Sequence, residues 1–216
     1  MFSSIILAGG KALRLGRDKL QEEVGGKTLF SRVLDTLEAL NNDIIVVTSQ
    51  KQFLPLPSTG VEVKIVTDAF PGGGPLGGVY TGLAASGSFH SLVVAGDMPF
   101  LNLSLLRYML ENAGAFGAMP AAARAKPREA GFDVVIPRIN GFIEPLHAVY
   151  SQRCLPYIRK EIESGRRNIR SFFPQVSVRY IENEEIELFD PRHLSFFNIN
   201  TEDELVKARE IAKNIE

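Results

Sequence analysis

The chain has 216 residues, enough for one large domain with a sizeable hydrophobic core. Its 24 Lys and Arg residues against 25 Asp and Glu residues give a formal net charge of −1, which argues against a nucleic-acid-binding protein. One cysteine, Cys154, excludes internal disulfides and a Cys-based zinc site. No apolar stretch approaches the roughly 20 residues of a membrane span, and no signal-peptide pattern is present, so we expect a soluble cytoplasmic protein.

Strand-like and helix-like segments alternate along the chain. The apolar runs that predict buried strands are 5–8, 44–47, 61–66, 92–95, 134–136 and 148–150. Apolar residues at helical spacing predict helices over 29–40 and 102–112. This alternation predicts a single three-layer α/β/α domain, with a mainly parallel sheet and helices on both faces. In such sheets the ligand lies at the carboxyl ends of the strands.

The second half of the chain contains one long loop and two further elements. The segment 114–131 is rich in Ala, Gly, Pro and basic residues, and we interpret it as a loop insertion at the amino edge of the sheet, in preference to a catalytic lid. Val176, Val178 and Tyr180 alternate with polar residues, which predicts an edge strand. Thr201 and Glu204 fit a capping box that begins a last helix, ending near Lys213.

The first predicted strand leads into a basic loop. It ends in Gly9 and Gly10, and four cations follow within nine residues: Lys11, Arg14, Arg17 and Lys19. Glycines let backbone N–H groups approach phosphate oxygens, and Arg and Lys neutralise their charge. We therefore predict a polyphosphate site, with a glycine turn beside a solvated basic edge as the alternative.

Two other phosphate-binding patterns do not hold. The run Gly26-Lys27-Thr28 resembles the end of a P-loop, but Gln21 stands where that pattern requires glycine, so we predict a turn with Thr28 capping the next helix. The run 72–77 satisfies G-x-G-x-x-G, but five residues separate it from the preceding strand, whereas a dinucleotide-binding loop follows its strand directly. A dinucleotide cofactor is therefore disfavoured.

Polar residues follow the strands at the same predicted edge. Asp68 follows the 61–66 strand, Asp97 follows the 92–95 strand, and Thr48 ends the 44–47 strand. An Asp in such a position often serves a turn, which is an equally good interpretation for Asp68. For Asp97 we favour a Mg²⁺ ligand, since a carboxylate beside a phosphate-binding loop is repelled unless a cation bridges them. Cations, a metal-binding carboxylate and no nucleophile–base pair favour phosphoryl or nucleotidyl transfer.

Five segments, in this order, resemble the molybdenum cofactor guanylyltransferase family. They are 7–14 (LAGGKALR), 16–19 (GRDK), 74–78 (GPLGG), 96–100 (GDMPF) and 197–201 (FNINT). The resemblance covers nearly the whole chain. It implies a Rossmann-like nucleotidyltransferase fold and the transfer of GMP from GTP to molybdopterin, with release of pyrophosphate. It also implies a nucleotide-binding half at 1–112, a molybdopterin-side half at 132–216, and transient contact with molybdenum cofactor biosynthesis or acceptor proteins.

The resemblance also assigns roles to individual residues. Backbone contacts to the nucleotide are expected from Leu7, Ala8, Gly9 and Gly10, with further nucleotide contacts from Lys19, Asp68 and Gly77. Asp97 would bind both GTP and Mg²⁺, and Arg14 would steady the triphosphate. Asn198 and Asn200 would lie near the reacting phosphates, with Asn200 supporting the metal. The family often has Asn where this chain has Thr48, and the segment 114–131 is longer than the family's usual link.

The molybdopterin side is less defined by sequence. Arg166 and Arg167 are candidate phosphate ligands, or alternatively surface cations after a helix over 152–164 that Gly165 ends. His147 lies in an apolar strand, and we interpret it as a structural histidine with locally paired ring nitrogens. Three other functions stay open: a cytidylyltransferase on molybdopterin, a nucleotidyltransferase for another small phosphorylated acceptor, and a non-catalytic nucleotide-binding module.

Overall fold

The computed structural model describes residues 2–9, 18–49, 61–115 and 131–215. Its strands are β1 (Phe2–Leu7), β2 (Glu23–Val24), β3 (Lys27–Thr28), β4 (Asp43–Thr48), β5 (Val63–Thr67), β6 (His90–Ala95), β7 (Val134–Ile139), β8 (Phe142–Ile143), β9 (His147–Ser151) and β10 (Val178–Glu182). Its α-helices are α1 (Leu29–Glu38), α2 (Pro75–Ala85), α3 (Leu103–Asn112), α4 (Leu155–Glu163), α5 (Asn183–Glu187) and α6 (Glu202–Ile215). No α-helix in these ranges is long and apolar enough to cross a membrane.

The described strands form one large sheet and a small hairpin. The large sheet has eight strands in the order β10-β7-β9-β6-β1-β4-β5, with β8 paired to β7. Strands β6, β1, β4 and β5 are mutually parallel, and β10 is parallel to β7. Strand β9 runs antiparallel to both β6 and β7, a reversal that its short apolar run did not reveal. The predicted mainly parallel sheet is confirmed, and the carboxyl ends of β1, β4 and β6 meet at one edge.

Alternate strand residues face two different helical layers. Ile6 belongs to a buried cluster with residues of α1 and α3, whereas Ile5 belongs to a cluster with residues of α2 and α4. Successive side chains of a strand point to opposite faces, so a strand buried on both faces is apolar throughout. The predicted three-layer arrangement is confirmed.

The predicted caps and the predicted edge strand are present. The Thr28 side chain accepts from the Ser31 N–H at 3.1 Å at the start of α1. Before α6, the Glu204 N–H donates to Thr201 Oγ1 at 3.3 Å and the Thr201 N–H donates to the Glu204 carboxylate at 2.9 Å, so the capping box is confirmed. Helix α6 runs to Ile215, two residues beyond the predicted Lys213. Strand β10 lies at the edge of the sheet, as expected.

Most of the segment 114–131 lies outside the described residues, but its two ends are placed. Helix α3 ends and β7 begins at the amino edge of the parallel strands, since β7 and β6 both run antiparallel to β9 and so share one direction. The ends meet there: a Cβ built on Gly131 would lie 2.7 Å from the carbonyl oxygen of Ala113. The role of the segment stays a prediction.

Candidate functional site

A cavity of about 670 Å³ opens at the carboxyl ends of β1, β4 and β6. Its walls include eight of the site residues named from the sequence: Leu7, Ala8, Gly9, Lys19, Thr48, Asp68, Asp97 and Asn198. Gly10 and Arg14 lie outside the described residues, as do Lys11 and Arg17. The topology therefore brings together, at the expected edge, the described residues that end the parallel strands.

The end of β1 lies against the end of β4. The Ala8 N–H donates to the Val47 carbonyl at 2.8 Å, which extends the pairing of the two strands by one residue. A Cβ on Gly9 would lie 3.0 Å from the backbone nitrogen of Ser49, closer than real Cβ contacts ordinarily come. Glycine thus lets the chain leave β1 while keeping close to the neighbouring strand, with its backbone on the cavity wall.

Lys19 joins two distant parts of the chain. Its ammonium donates to Oδ2 of Asp97 and, at 2.9 Å, to Oδ1 of Asn200. The side chains of Lys19 and Asp97 are 16% and 13% exposed, so this ion pair is largely shielded from water. Asp97 is fixed on its backbone side as well, because its carbonyl accepts from the Ile199 N–H at 3.2 Å. Lys19 of the predicted polyphosphate loop and the two predicted metal ligands therefore meet at one point.

The oxygens around Lys19 are of the type that Mg²⁺ prefers. The second carboxylate oxygen of Asp97, Oδ1, is buried and has no hydrogen-bond partner in the described part of the chain. The other candidate donor is the amide oxygen of Asn200. The described residues contain no group of three or more His, Cys, Asp or Glu side chains that could enclose a metal. The carboxylate oxygen of Asp97 and the amide oxygen of Asn200 fit Mg²⁺, which keeps several waters and takes substrate phosphates as further ligands.

Asp68 shapes the loop between β5 and α2 and also lines the cavity. Its Oδ1 accepts from the Phe70 N–H at 2.9 Å and from the Thr81 hydroxyl at 3.0 Å. Gly77, a predicted nucleotide contact, is not among the residues that line the cavity; it lies beneath this loop, where a Cβ would be 3.0 Å from the Phe70 carbonyl oxygen. The structure thus gives Gly77 a packing role and Asp68 a turn role on the cavity wall, and the nucleotide contact of Asp68 stays a prediction.

The N-terminus of α2 borders the same cavity. Gly74 is the N-cap at φ +66°, a left-handed conformation that favours glycine, and it provides no side-chain cap to the helix N–H groups. Both Gly74 and Pro75 line the cavity. The partial positive charge of a helix N-terminus favours an anion at this wall. The run 72–77 therefore begins a helix beside the cavity instead of following a strand directly.

A second cavity of about 380 Å³ adjoins the first. The two cavities share Pro75, Leu146 and Asn198. The remaining lining residues of the second cavity are Met98, Glu144, Pro145, Arg167, Asn168 and Ile169. Two ligands could therefore lie side by side, one in each cavity, and meet where the two cavities share these three lining residues.

Comparison with known proteins identifies the family. A protein-family sequence model described as "MobA-like NTP transferase domain" matches residues 4–179. The chain belongs to this family. The chain is 33% identical to a probable molybdenum cofactor guanylyltransferase of Pelotomaculum thermopropionicum, over 98% of this chain and 94% of that protein.

Solved structures show the same fold. Molybdopterin-guanine dinucleotide biosynthesis protein A from Archaeoglobus fulgidus superposes with a TM-score of 0.79 at 27% identity, over 99% of this chain and 100% of that one. The 2-C-methyl-D-erythritol 4-phosphate cytidylyltransferase from Thermus thermophilus has a TM-score of 0.60 at 17% identity, over 97% and 98% of the two chains. The fold is thus that of the nucleotidyltransferases, as the resemblance implied.

The two arginines at the end of α4 have different surroundings in this MobA-like domain. Gly165 ends the helix at φ +75°, as predicted. Arg166 donates twice to the Glu161 carboxylate, at 2.5 and 2.8 Å, and this pair lowers the pKa of Glu161 to about 2. Arg166 lines neither cavity, so the structure does not bring it to the predicted acceptor site. Arg167 does line the second cavity, beside Asn198.

Two further residues differ from the sequence-based interpretation. His147 is buried as predicted, but neither ring nitrogen has a hydrogen-bond partner in the described ranges, so the expectation of local pairing was wrong. Its ring packs against Phe196 with centroids 4.8 Å apart. Glu144, which lines the second cavity, was missed, although it is an isolated acid between the short strand β8 and Pro145.

Proposed function

We propose that this protein is a molybdenum cofactor guanylyltransferase, which transfers GMP from GTP to the terminal phosphate of molybdopterin and releases pyrophosphate. Family membership and the named relatives support this function. The observation that carries it is the meeting of Lys19, Asp97 and Asn200 beside two adjoining cavities. Contact with molybdenum cofactor biosynthesis or acceptor proteins, and a cytoplasmic location, are further parts of this proposal.

We assign the larger cavity to GTP. The backbone of Leu7, Ala8 and Gly9 would contact the nucleotide, and Thr48 and Asp68 would contact its base or ribose. Gly10 and Arg14 lie outside the described residues, and we assign them to the GTP site from the sequence alone. The α2 N-terminus supports it, because it adds partial positive charge to the same wall.

The smaller cavity suits the acceptor. Arg167 supplies a cation that can bind a phosphate through two parallel hydrogen bonds. Asn198 lies on the wall common to both cavities, where the two reacting phosphates would meet. Under this assignment, residues 1–112 form mainly the nucleotide-binding half and residues 132–216 form mainly the acceptor-binding half. Asn198 and Asn200 belong to the second half but would lie at the reaction centre.

The chemistry needs orientation and charge neutralisation more than acid–base catalysis. An oxygen of the acceptor phosphate forms a bond to the α-phosphorus of GTP, and the bond from that phosphorus to the α–β bridging oxygen breaks. The acceptor phosphate is already anionic, so no base has to remove a proton. Lys19 would offset charge on the transferring and leaving groups. Mg²⁺, held by Asp97 and Asn200, supplies additional charge stabilisation when bound.

An assay with purified protein tests the proposal. The protein is incubated with Mg²⁺, molybdopterin and each nucleoside triphosphate in turn, and pyrophosphate is measured. We expect release with GTP that depends on molybdopterin. Release with CTP instead would establish the cytidylyltransferase alternative, and GTP binding with no product would establish the non-catalytic module.

Replacement of Asp97 tests the proposed mechanism. We expect Asp97→Asn to lower kcat by about 10²–10³, the usual effect of removing one charge-stabilising contact. The matched control is Asp43→Asn, at the exposed amino end of β4, which should react normally. Circular dichroism and thermal unfolding would verify that both variants fold. A folded Asp97→Asn variant with normal turnover would contradict the assignment of Asp97.

A further inference from the structure

The smaller cavity contains a carboxylate whose backbone is firmly placed. Glu144 directly follows β8, and its N–H donates to the Pro137 carbonyl at 3.0 Å. Its own carbonyl accepts from the His147 N–H at 3.1 Å, which forms the turn into β9. The residue is half-buried and lines the cavity together with Arg167 and Asn168. The turn therefore fixes where this acid is presented.

The Glu144 carboxylate has no ion pair or side-chain hydrogen bond with any other described residue. Burial raises its pKa, and no described cation offsets that effect, although Arg167 lines the same cavity. Partly shielding a carboxylate from water without a partner costs free energy. Such groups in clefts are candidates for contact with a ligand that supplies the missing donors.

The chemistry of a carboxylate selects the part of the acceptor that it can bind. Two carboxylate oxygens accept from two adjacent N–H donors, but they repel phosphate and thiolate groups. A pterin ring offers such a donor pair on one edge, the 2-amino group and N3–H. The cavity also has apolar wall residues, among them Met98, Pro145 and Ile169, which suit a flat ring.

We infer that Glu144 is the residue that recognises the 2-amino–N3–H edge of the acceptor's pterin ring. This inference rests on the proposed function, and it divides the cavity by charge. Glu144 binds the nitrogen donors of the ring, and Arg167 binds anionic groups of the same acceptor. Glu144 is thus a specificity-determining residue and takes no part in the bond-making step.

Two small ring compounds test the inference directly. Lumazine carries an oxygen where pterin carries the 2-amino group, so it replaces one donor by an acceptor. We expect wild-type protein to bind pterin about 10-fold to 100-fold more tightly than lumazine, as measured by inhibition of transfer or by fluorescence, since hydrogen bonds to charged groups differ by that order. In Glu144→Gln the side-chain amide can donate to the lumazine oxygen, so the preference should vanish or reverse.

Steady-state kinetics separates recognition from a general structural defect. For Glu144→Gln we expect KM for molybdopterin to rise about 10-fold or more, while kcat and KM for GTP change little. The matched control is Glu184→Gln, at an exposed position of α5, which should keep the wild-type preference for pterin. A wild-type protein with no preference between the two rings would overturn the inference, whether or not the variant folds.

The proposed function can fail independently of this inference. If wild-type protein prefers pterin to lumazine through Glu144 but releases no pyrophosphate from any nucleoside triphosphate, the ring contact stands and the transferase proposal falls. If pyrophosphate is released with molybdopterin and Glu144→Gln leaves the pterin-to-lumazine ratio unchanged, the transferase stands and the ring contact falls.

Discussion

At the residue scale, the Lys19 ammonium occupies the position between the two proposed metal ligands. It donates to a carboxylate oxygen of Asp97 and to the amide oxygen of Asn200. In this state its charge neutralises Asp97. A divalent cation has to compete with Lys19 for these oxygens unless an incoming triphosphate draws the ammonium toward its own charge. Lys19 thus links metal binding to nucleotide binding.

Replacement of Lys19 should therefore affect binding and turnover in opposite directions. We expect Lys19→Met to bind Mn²⁺ in the absence of nucleotide about tenfold more tightly than wild type, because a competing charge-assisted hydrogen bond is removed. The same variant should lose about 10²–10³ in kcat. Free Mn²⁺ is measured by electron paramagnetic resonance. Lys27→Met is the control, since Lys27 pairs with Asp35 at an exposed site.

An unchanged Mn²⁺ affinity in Lys19→Met would mean that the ammonium does not compete for these oxygens. An increase in Lys27→Met as large as that in Lys19→Met would mean that net charge alone explains the effect.

The sequence could predict Lys19 and Asp97 because each lies just beyond a strand or in the loop that follows one, and topology brings those positions together. It could not separate Arg166 from Arg167. The directions of these side chains depend on the left-handed turn at Gly165 and on Glu161, one helical turn earlier. The Glu161 carboxylate accepts hydrogen bonds from Arg166 and so holds it away from the cavity. Glu144 was missed because its position depends on a hairpin, and the short strand β8 has no periodic pattern.

At the element scale, α2 lies unusually close to β1. A Cβ on Gly78 would be 3.3 Å from Leu7 Cδ2, and a Cβ on Gly82 would be 2.5 Å from Ile5 Cγ2. This close packing places the N-terminus of the helix at the cavity. The sequence pattern did not predict α2, because glycine and proline at its start resemble a loop and small residues give little helical periodicity.

Adding one methyl group at this contact should destabilise the protein. For Gly82→Ala we expect the free energy of unfolding to fall by up to about 2 kcal/mol, because overpacking costs about 1–3 kcal/mol and the better helix propensity of alanine returns about 1 kcal/mol. Urea unfolding measures the change. Gly87→Ala is the control, since nothing lies within 4 Å of a Cβ built there. Equal stability of the two variants would show that Ile5 moves aside without cost.

At the scale of the whole molecule, His147 makes stability depend on pH. It lies in β9, between β6 and β7, and burial lowers its pKa to about 4. The folded protein therefore keeps the ring neutral, whereas the unfolded chain binds a proton near pH 6.5. Its contribution to stability is complete above pH 6.5 and is lost as the pH falls toward 4.

Removal of the ring nitrogens should remove this dependence. Between pH 7 and pH 4 we expect wild type to lose about 3 kcal/mol more unfolding free energy than His147→Phe, from a pKa difference of about 2.5. Phenylalanine leaves no buried nitrogen unpaired, so the variant should match or exceed wild type near pH 5. Urea unfolding at several pH values measures both. The Glu161–Arg166 pair stabilises the fold fully above about pH 4.5 and loses this contribution as the pH falls from 4.5 toward 2, equally in both proteins, because the pKa of Glu161 is lowered to about 2. Parallel pH curves for the two proteins would contradict this account.

The wall common to the two cavities has a consequence for the end of the reaction cycle. A dinucleotide product would keep the contacts that GTP made through its GMP moiety and those that the acceptor made, now tethered by a covalent linkage. Release of one end leaves the other end attached, so rebinding of the freed end is intramolecular and fast. Departure into bulk water is then slower than for either starting compound.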